Sequence, residues 1–409
     1  MKFEFLKKVL SEIKPIEKEE SMVEDTTNRV LERINVPSAV AVLGGSGAKG
    51  TWLKGTHDID VYVKFDYGLY RDKTTELSDV LEPILKKIFR KVERLHGSRD
   101  YFQIRENSYI FEIIPILDIK TASEAKNITD VSLLHVQFVK NAIDKNKKLG
   151  DEIRLAKAFT KANNCYGAES YIMGFSGYMM ELLIIHYGSF LKLIKEAGRW
   201  KAREAIGDHS AIKGLNAAKR QSQLIFIDPV QPGRNTAAAL SKEKYNLFIK
   251  ICKEFLKKPS HKFFETKKLS IEELKRKYKN YEIISLTVKS KTGKDDVVGA
   301  KIRKTFEFIK EQLINEGFKL IDSAWEFKPA NFFFVVDKKS LEKQIKYYGP
   351  PLHLKKHVDA FKKKYKKTFE EKGRICALIQ RSFTRVKPFL INLIKNRYVK
   401  ERVADIKLR

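Results

Sequence analysis

A glycine-rich loop held between two strand-like runs constrains this chain more than any other feature. Ser38-Ala39-Val40-Ala41-Val42-Leu43 is β-branched and apolar, so it reads as a buried strand. It leads into Gly44-Gly45-Ser46-Gly47-Ala48-Lys49-Gly50-Thr51, where glycines let backbone amides approach an anion closely, with Ser46 and Lys49 to hand. The following run, Asp58-Ile59-Asp60-Val61-Tyr62-Val63-Lys64-Phe65, alternates polar and apolar residues. Side chains alternate across a strand, so Asp58 and Asp60 project together, about 7 Å apart at the backbone. Gly50 rather than a hydroxyl residue follows Lys49, so this is not a Walker A loop. A Gly-rich turn or an Asp-x-Asp strand alone is a common structural feature. In this strand–loop–strand order the two form a phosphate cradle beside paired carboxylates, the requirement of a magnesium-dependent nucleotide-transfer site.

Charge points to the partner. The chain carries 81 lysines and arginines against 51 acids, a formal net of +30, which predicts a polyanionic ligand. The excess is uneven: residues 341–409 hold 20 basic and 6 acidic residues, a net of +14. Aromatics among them (Tyr347, Tyr348, Phe361, Tyr365, Phe369) favour RNA, because rings can stack on exposed bases. The three cysteines, Cys165, Cys252 and Cys376, are widely spaced and fit no metal pattern. Together with histidines that form no cluster, this predicts a reduced, cytoplasmic protein without structural zinc. The first twenty residues are charged throughout, with no secretory apolar core. The most membrane-like stretch, Tyr171 to Ile194, is interrupted by Glu181, His186 and Lys192 and reads as a buried helix, so no membrane association is expected.

The length allows about two to four domains. Residues 1–35 read as amphipathic helices broken near Pro15, and Leu77 to Leu95 as a helix. Tyr101 to Ile104 reads as a strand, and Tyr109 to Pro115 as another, closed by its proline. The pattern is mainly helical from about 130 to 258, with Arg154, Lys157 and Lys161 on one face. Lys257-Lys258-Pro259-Ser260 reads as a linker. A small α+β module follows, and then a basic stretch read as helical. The predicted fold is a multidomain α+β chain divided into four parts: an α/β catalytic domain (1–128), a helical nucleotide-binding domain (129–258), an α+β RNA-binding module (259–340) and a basic helical tail (341–409).

Nucleotidyl transfer is in-line attack of a hydroxyl on an α-phosphate with pyrophosphate leaving. Two magnesium ions suffice: one lowers the pKa of the attacking hydroxyl and the other shields the leaving oxygens. Asp58 and Asp60 can bridge them. Glu112 is the candidate third ligand, because an unpaired carboxylate in the apolar run Tyr109-Ile110-Phe111-Glu112-Ile113-Ile114-Pro115 is costly without a compensating role.

Five ordered blocks then resemble one family, the archaeal-type (class I) CCA-adding enzymes, tRNA nucleotidyltransferases of the DNA polymerase β-like superfamily. The first runs from Gly45 through Lys49-Gly50-Thr51-Trp52-Leu53 and Gly55 to Asp58-Ile59-Asp60. The second is Phe111-Glu112-Ile113-Ile114-Pro115, and the third Asp130-Val131-Ser132-Leu133-Leu134-His135. The fourth joins Arg154 to Phe159, Tyr166 to Glu169, Gly174 to Tyr178 and Glu181-Leu182-Leu183. The fifth is Asp228-Pro229-Val230 with Arg234-Asn235 and Ala237-Ala238-Ala239. The resemblance covers most of residues 35–245 and is thinner beyond.

It implies that Ser46, Lys49, Lys157 and Tyr166 hold the triphosphate and that Asp58, Asp60 and Glu112 bind the metals. It also implies that Ser132 and His135 line the nucleotide pocket and that Arg234 reads the incoming base with help from tRNA phosphates. The sequence departs from the family at three points. Lys49 stands where arginine is usual, which keeps the charge but loses bidentate geometry. Glu112 replaces an aspartate and adds a methylene of reach. Arg99-Asp100-Tyr101 stands in place of a His-Pro-Tyr element.

The expected activity is template-independent addition or repair of the 3′-terminal CCA of tRNA from CTP and ATP with Mg2+. The acceptor stem, T-arm and 3′ end of the tRNA would be gripped largely through phosphates. A poly(A) polymerase or oligoadenylate synthetase-like enzyme shares the catalytic core and is the alternative, and an inactive RNA-binding protein is a further one. Oligomeric state is left open, a homodimer included.

Overall fold

The computed structural model describes residues 3–56, 58–207, 209–216, 220–266 and 270–409. His57 of the loop before Asp58, and Met1 and Lys2 of the N-terminal reading, lie outside the described residues. The chain packs as two compact units, 1–267 and 268–409.

In the first unit, α1 (Phe5–Ile13) and α2 (Glu17–Arg33) are separated at Pro15, where the fixed proline φ ends one helix before the acidic first turn of the next. Then follow β1 (Ala39–Leu43), the short α3 (Gly45–Lys49), β2 (Asp58–Phe65), α4 (Tyr67–Tyr70), α5 (Leu77–Ile88), β3 (Glu93–Leu95), β4 (Tyr101–Glu106) and β5 (Tyr109–Leu117). The five strands form one sheet in the order β1-β2-β5-β4-β3, with β2 and β5 parallel and the other pairs antiparallel. Alternation does what it predicts: Ile59, Val61, Val63 and Phe65 are buried with Leu77, Leu81 and Leu85 of α5, while the opposite face carries Asp58 and Asp60.

The helical part holds α6 (Ser132–Lys145), α7 (Lys148–Ala162), α8 (Gly177–Tyr187), α9 (Phe190–Ala197), α10 (His209–Gly214) and α11 (Lys242–Lys257), with a parallel pair β6 (Glu204–Ile206) and β7 (Leu224–Phe226). Serine hydroxyls cap α8, α9 and α11: Ser176, Ser189 and Ser241 each accept an amide from the first turn. Phe159, Phe175, Phe190, Phe248 and Phe255 fill the core between them. Gly174 is needed there, since a Cβ would lie 2.2 Å from the Cys165 carbonyl oxygen.

The second unit contains α12 (Ile271–Lys277), β8 (Glu282–Lys289), α13 (Asp295–Glu316), β9 (Leu320–Phe327), β10 (Ala330–Val336), β11 (Gln344–Pro351), α14 (Lys355–Lys364), β12 (Thr368–Glu371), β13 (Arg374–Gln380), α15 (Val386–Leu393), α16 (Arg397–Arg402) and β14 (Asp405–Leu408). One antiparallel sheet runs β14-β8-β10-β9 and another β11-β13-β12. Val298, Ile302, Phe306, Ile309 and Leu313 of α13, at spacings of three and four, bury against Phe332 and Phe334.

Several expectations need correction. Residues 341–409 are not a helical tail: they contribute a three-stranded sheet, and β14 returns to the sheet of β8 and β10. Phe361 is core, not a stacking surface, although Tyr348 and Phe369 are exposed. The chain after Lys257-Lys258-Pro259-Ser260 is not a new unit. Phe263 and Phe264 pack back into the first core, and the break falls at 267/268. β1 is an edge strand with Val40 60% exposed rather than a buried one. β5 passes through Pro115 to Leu117; the β4 ladder has already ended at Ile113, so the missing N–H breaks no bond on that side. The helix from Leu77 stops at Ile88, and the Tyr171 to Ile194 stretch is two helices parted at Gly188, whose φ is 80°.

Candidate active site

The parallel register places Asp60 directly beside Glu112, one step along from Asp58 opposite Ile110. All three carboxylates therefore share the polar face of β2 and β5. The charge is crowded: burial first, then Glu112 and Asp58, push the Asp60 carboxyl up to about 6 against the opposing pull of Lys49 and Lys157. Gln103 on β4, paired with Glu112 in the ladder, donates from Nε2 to Glu112 Oε1 at 2.8 Å. That bond braces the longer side chain that stands here in place of an aspartate.

Among the described residues, no three His, Cys, Asp or Glu side chains form a ready-made metal cage. The donor set nevertheless fits a divalent ion completed by phosphate oxygens. These are hard oxygen ligands, and burial together with their mutual repulsion holds the Asp60 carboxyl above the usual carboxylate range, a cost that a cation would relieve. The loop is cut to this carboxylate. Gly45, with φ +53°, lies so close that a Cβ would stand 1.6 Å from Asp60 Oδ2.

Beside the carboxylates lies a buried cluster of opposite sign. Glu181, fully buried on α8, takes Lys49 Nζ at 2.6 Å on Oε2, and Lys157 Nζ at 2.7 Å and the Thr51 hydroxyl at 2.9 Å on Oε1. Lys157 also donates to Thr51 Oγ1 and to the Thr51 carbonyl. Burial alone would raise Glu181, but the two ammonium groups prevail and hold it down to about 2. The two lysines expected at the triphosphate are thus brought together, and their shared counter-charge is a residue the sequence reading placed in a motif without a role. The signal was present: an acid inside the apolar stretch from Tyr171, the same reasoning that singled out Glu112. Ser46 sits half-buried in α3. The Tyr166 hydroxyl lies where a Cβ on Gly177 would come within 2.7 Å, and burial raises its pKa, reinforced by Glu181, Glu169 and Asp60. Lys161 is 5.0 Å from the Tyr166 ring.

The other expected residues lie on α6 and in the loop after β7, and two of them, His135 and Arg234, meet around Asp228 beside Tyr178 of α8. Ser132, at the start of α6, is hydrogen-bonded to Tyr62 of β2, against which Gly44 packs. His135 stacks on Tyr178 with centroids 4.2 Å apart. Its Nε2 is 3.0 Å from Asp228 Oδ2, out of hydrogen-bond alignment. Arg234 Nη1 donates to the same oxygen at 3.2 Å, while Asp228 Oδ1 accepts from the Tyr178 hydroxyl and the Val230 amide, each at 3.0 Å. Tyr178 and Glu181 are three residues apart, so one face of α8 serves both clusters.

Arg99, at the position that departs from His-Pro-Tyr, is buried and pairs with Asp130 and the Pro115 carbonyl. Asp130 also accepts the amides of Leu117, Lys126 and Asn127. This arginine pins the passage from β5 into α6 and does not face the carboxylates by any recorded contact.

Three family profiles match the chain. Residues 25–115 match a nucleotidyltransferase domain, 151–265 the second domain of tRNA nucleotidyltransferase, and 279–400 the C-terminal domain of the CCA-adding enzyme. The CCA-adding enzyme of Methanosarcina acetivorans is 31% identical over 95% of this chain and 88% of its own. That of Methanocaldococcus jannaschii is 30% identical over 94% and 88%, and that of Nanoarchaeum equitans 33% over 84% of each. A solved structure of the RNA terminal uridylyl transferase Cid1 covers 65% of this chain and 98% of its own at 14% identity, with a TM-score of 0.51, a likeness of fold.

Proposed function

This chain belongs to the CCA-adding enzymes, tRNA nucleotidyltransferases, and from that premise we propose that it extends the tRNA 3′ end with CTP and ATP at the Asp58, Asp60 and Glu112 face, using Mg2+. The observation that carries the reading is the parallel register setting Asp60 beside Glu112, next to the Lys49–Glu181–Lys157 cluster.

Bound there, Mg2+ would supply Lewis-acid activation of the 3′-hydroxyl and charge shielding of the triphosphate. The three carboxylates would be its ligands. Ser46, Lys49, Lys157 and Tyr166 hold the triphosphate: phosphate oxygens compete with Glu181 for the two lysine side chains, and Glu181 holds both in place between turnovers. Ser132 and His135 border the nucleoside, and Arg234 offers a planar fork of donors to base acceptors. Residues 1–128 serve as the catalytic part of the first unit and 129–258 as its nucleotide-closing part. The basic residues of the second unit grip the acceptor stem and T-arm through phosphates.

The three cysteines, free and buried, support a reducing, cytoplasmic setting. No helix among the described residues is long and apolar enough to cross a membrane.

The test is incubation with tRNA ending before CCA, Mg2+, and CTP, ATP or UTP singly and together. Ordered addition of C, C and A that then stops is expected. Unlimited adenylate addition would replace this reading with a poly(A) polymerase, and no addition with an RNA-binding protein. Chelation should stop the reaction, and Mg2+ should restore it.

A further inference from the structure

Nothing so far assigns a task to Asp228, yet more of the site converges on it than on any other side chain at the base end. It is fully buried at the end of the β7 segment. Burying a carboxylate is expensive unless every oxygen is satisfied. Here both are satisfied, Oδ1 by Tyr178 from α8 and the Val230 amide and Oδ2 by Arg234 from the same loop, while His135 from α6 brings Nε2 within 3.0 Å of Oδ2. The loop is closed on itself as well, by the Asp228 amide donating to the Arg234 carbonyl and the Arg234 amide to that of Gln231. Three elements that would otherwise place their side chains independently are therefore tied to one anion.

We propose that Asp228 is the positioning residue for nucleobase selection, fixing the Arg234 guanidinium and the stacked His135–Tyr178 pair in one shared orientation. The inference rests on the reading that Arg234 contacts the incoming base. Arg234 keeps 33% side-chain exposure while one nitrogen is held by Asp228. A guanidinium has five donors in a rigid plane, so anchoring one edge sets the direction of the rest. Discrimination between bases depends on that direction, because a donor aimed at the wrong edge is left unpaired. Asparagine at 228 keeps the shape but turns an amide donor toward Arg234 or His135 and removes the charge that holds them.

The measurement is single-nucleotide addition to tRNA lacking CCA, comparing kcat/KM for CTP with that for UTP and GTP. Asp228→Asn should lower the CTP preference about tenfold, chiefly through KM for CTP, and leave KM for tRNA unchanged. Arg234→Ala should lower it at least as much, and adding Asp228→Asn to Arg234→Ala should change it by less than about twofold, because the two act as one unit. Should Asp228→Asn fail to fold, Tyr178→Phe removes one of the four partners while keeping the ring, and a loss of about threefold is expected. Full discrimination in a folded Asp228→Asn or Tyr178→Phe enzyme, or fully additive losses with Arg234→Ala, overturns the inference alone. Full discrimination in Arg234→Ala overturns the role of Arg234, and this inference with it.

Discussion

At the scale of single residues, the site is organised by buried charge. Asp58 and Asp60 share a face with Glu112, and a bound cation there is worth several kcal/mol to the transition state. Asp58→Ala and Asp60→Ala should therefore each cut turnover by roughly a thousandfold or more. Affinity for tRNA, measured by filter binding, should stay nearly intact; retained turnover in either variant removes that residue from the metal site. Glu181 makes a different prediction. Its folded pKa is depressed to about 2 from an ordinary value of 4.5, so it contributes stability above pH 4.5 that disappears as pH falls toward 2. The shift corresponds to roughly 3 kcal/mol at this buried position. Thermal unfolding of the protein and of Glu181→Gln should thus differ most near neutrality, and the two curves should converge as pH drops below 4.5. A gap that stays constant across that range would mean that Glu181 is not ionised in the folded state.

At the scale of elements, caps and close approaches decide where these side chains point. Ser176 accepts the Met179 amide at the start of α8, the helix that carries Tyr178 and Glu181. Ser176→Ala should cost about 1 kcal/mol, seen as a fall of about 2–4 °C in Tm, with the larger effect on KM for the nucleotide because α8 serves both ends of the pocket. An unchanged Tm would show the cap to be dispensable. The elements also show what could be read in advance. β2 was legible because its period-2 pattern ran uninterrupted after the glycine loop, and β5 because an apolar run held a single carboxylate. The carboxylate face followed from that alternation. Glu181 showed in the sequence only as an acid in an apolar stretch and Asp228 only as part of a motif; their roles depend on partners distant in sequence, Lys49 and Lys157 for one, Tyr178 and His135 for the other. In β11 the alternation was hidden, because Lys346, Tyr347 and Tyr348 are all exposed. Lys346 covers Phe369 and pairs with Glu371, so the strand read as a charged stretch without a core side.

At the scale of the whole molecule, a net charge of +30 on a chain that acts on tRNA makes affinity a matter of counterion release. Each phosphate neutralised should contribute about 0.9 to the slope of log affinity against log salt concentration on duplex RNA, taking the double-helical DNA value as a guide. Lys362, Lys363 and Lys364, at the end of α14, are exposed and form no ion pair with another described residue, so their charges are available to a polyanion at little desolvation cost. Replacing all three with alanine should weaken tRNA binding uniformly across tRNA sequences and lower that slope by between about one and three, one for each contact made. The kcat at saturating tRNA should not change, because the residues proposed to hold the triphosphate and the metal lie in the other unit. Titrations at several salt concentrations settle it: an unaltered slope would take α14 out of the RNA-binding surface, and a lowered kcat would mean that these lysines act on the reaction and not only on the grip.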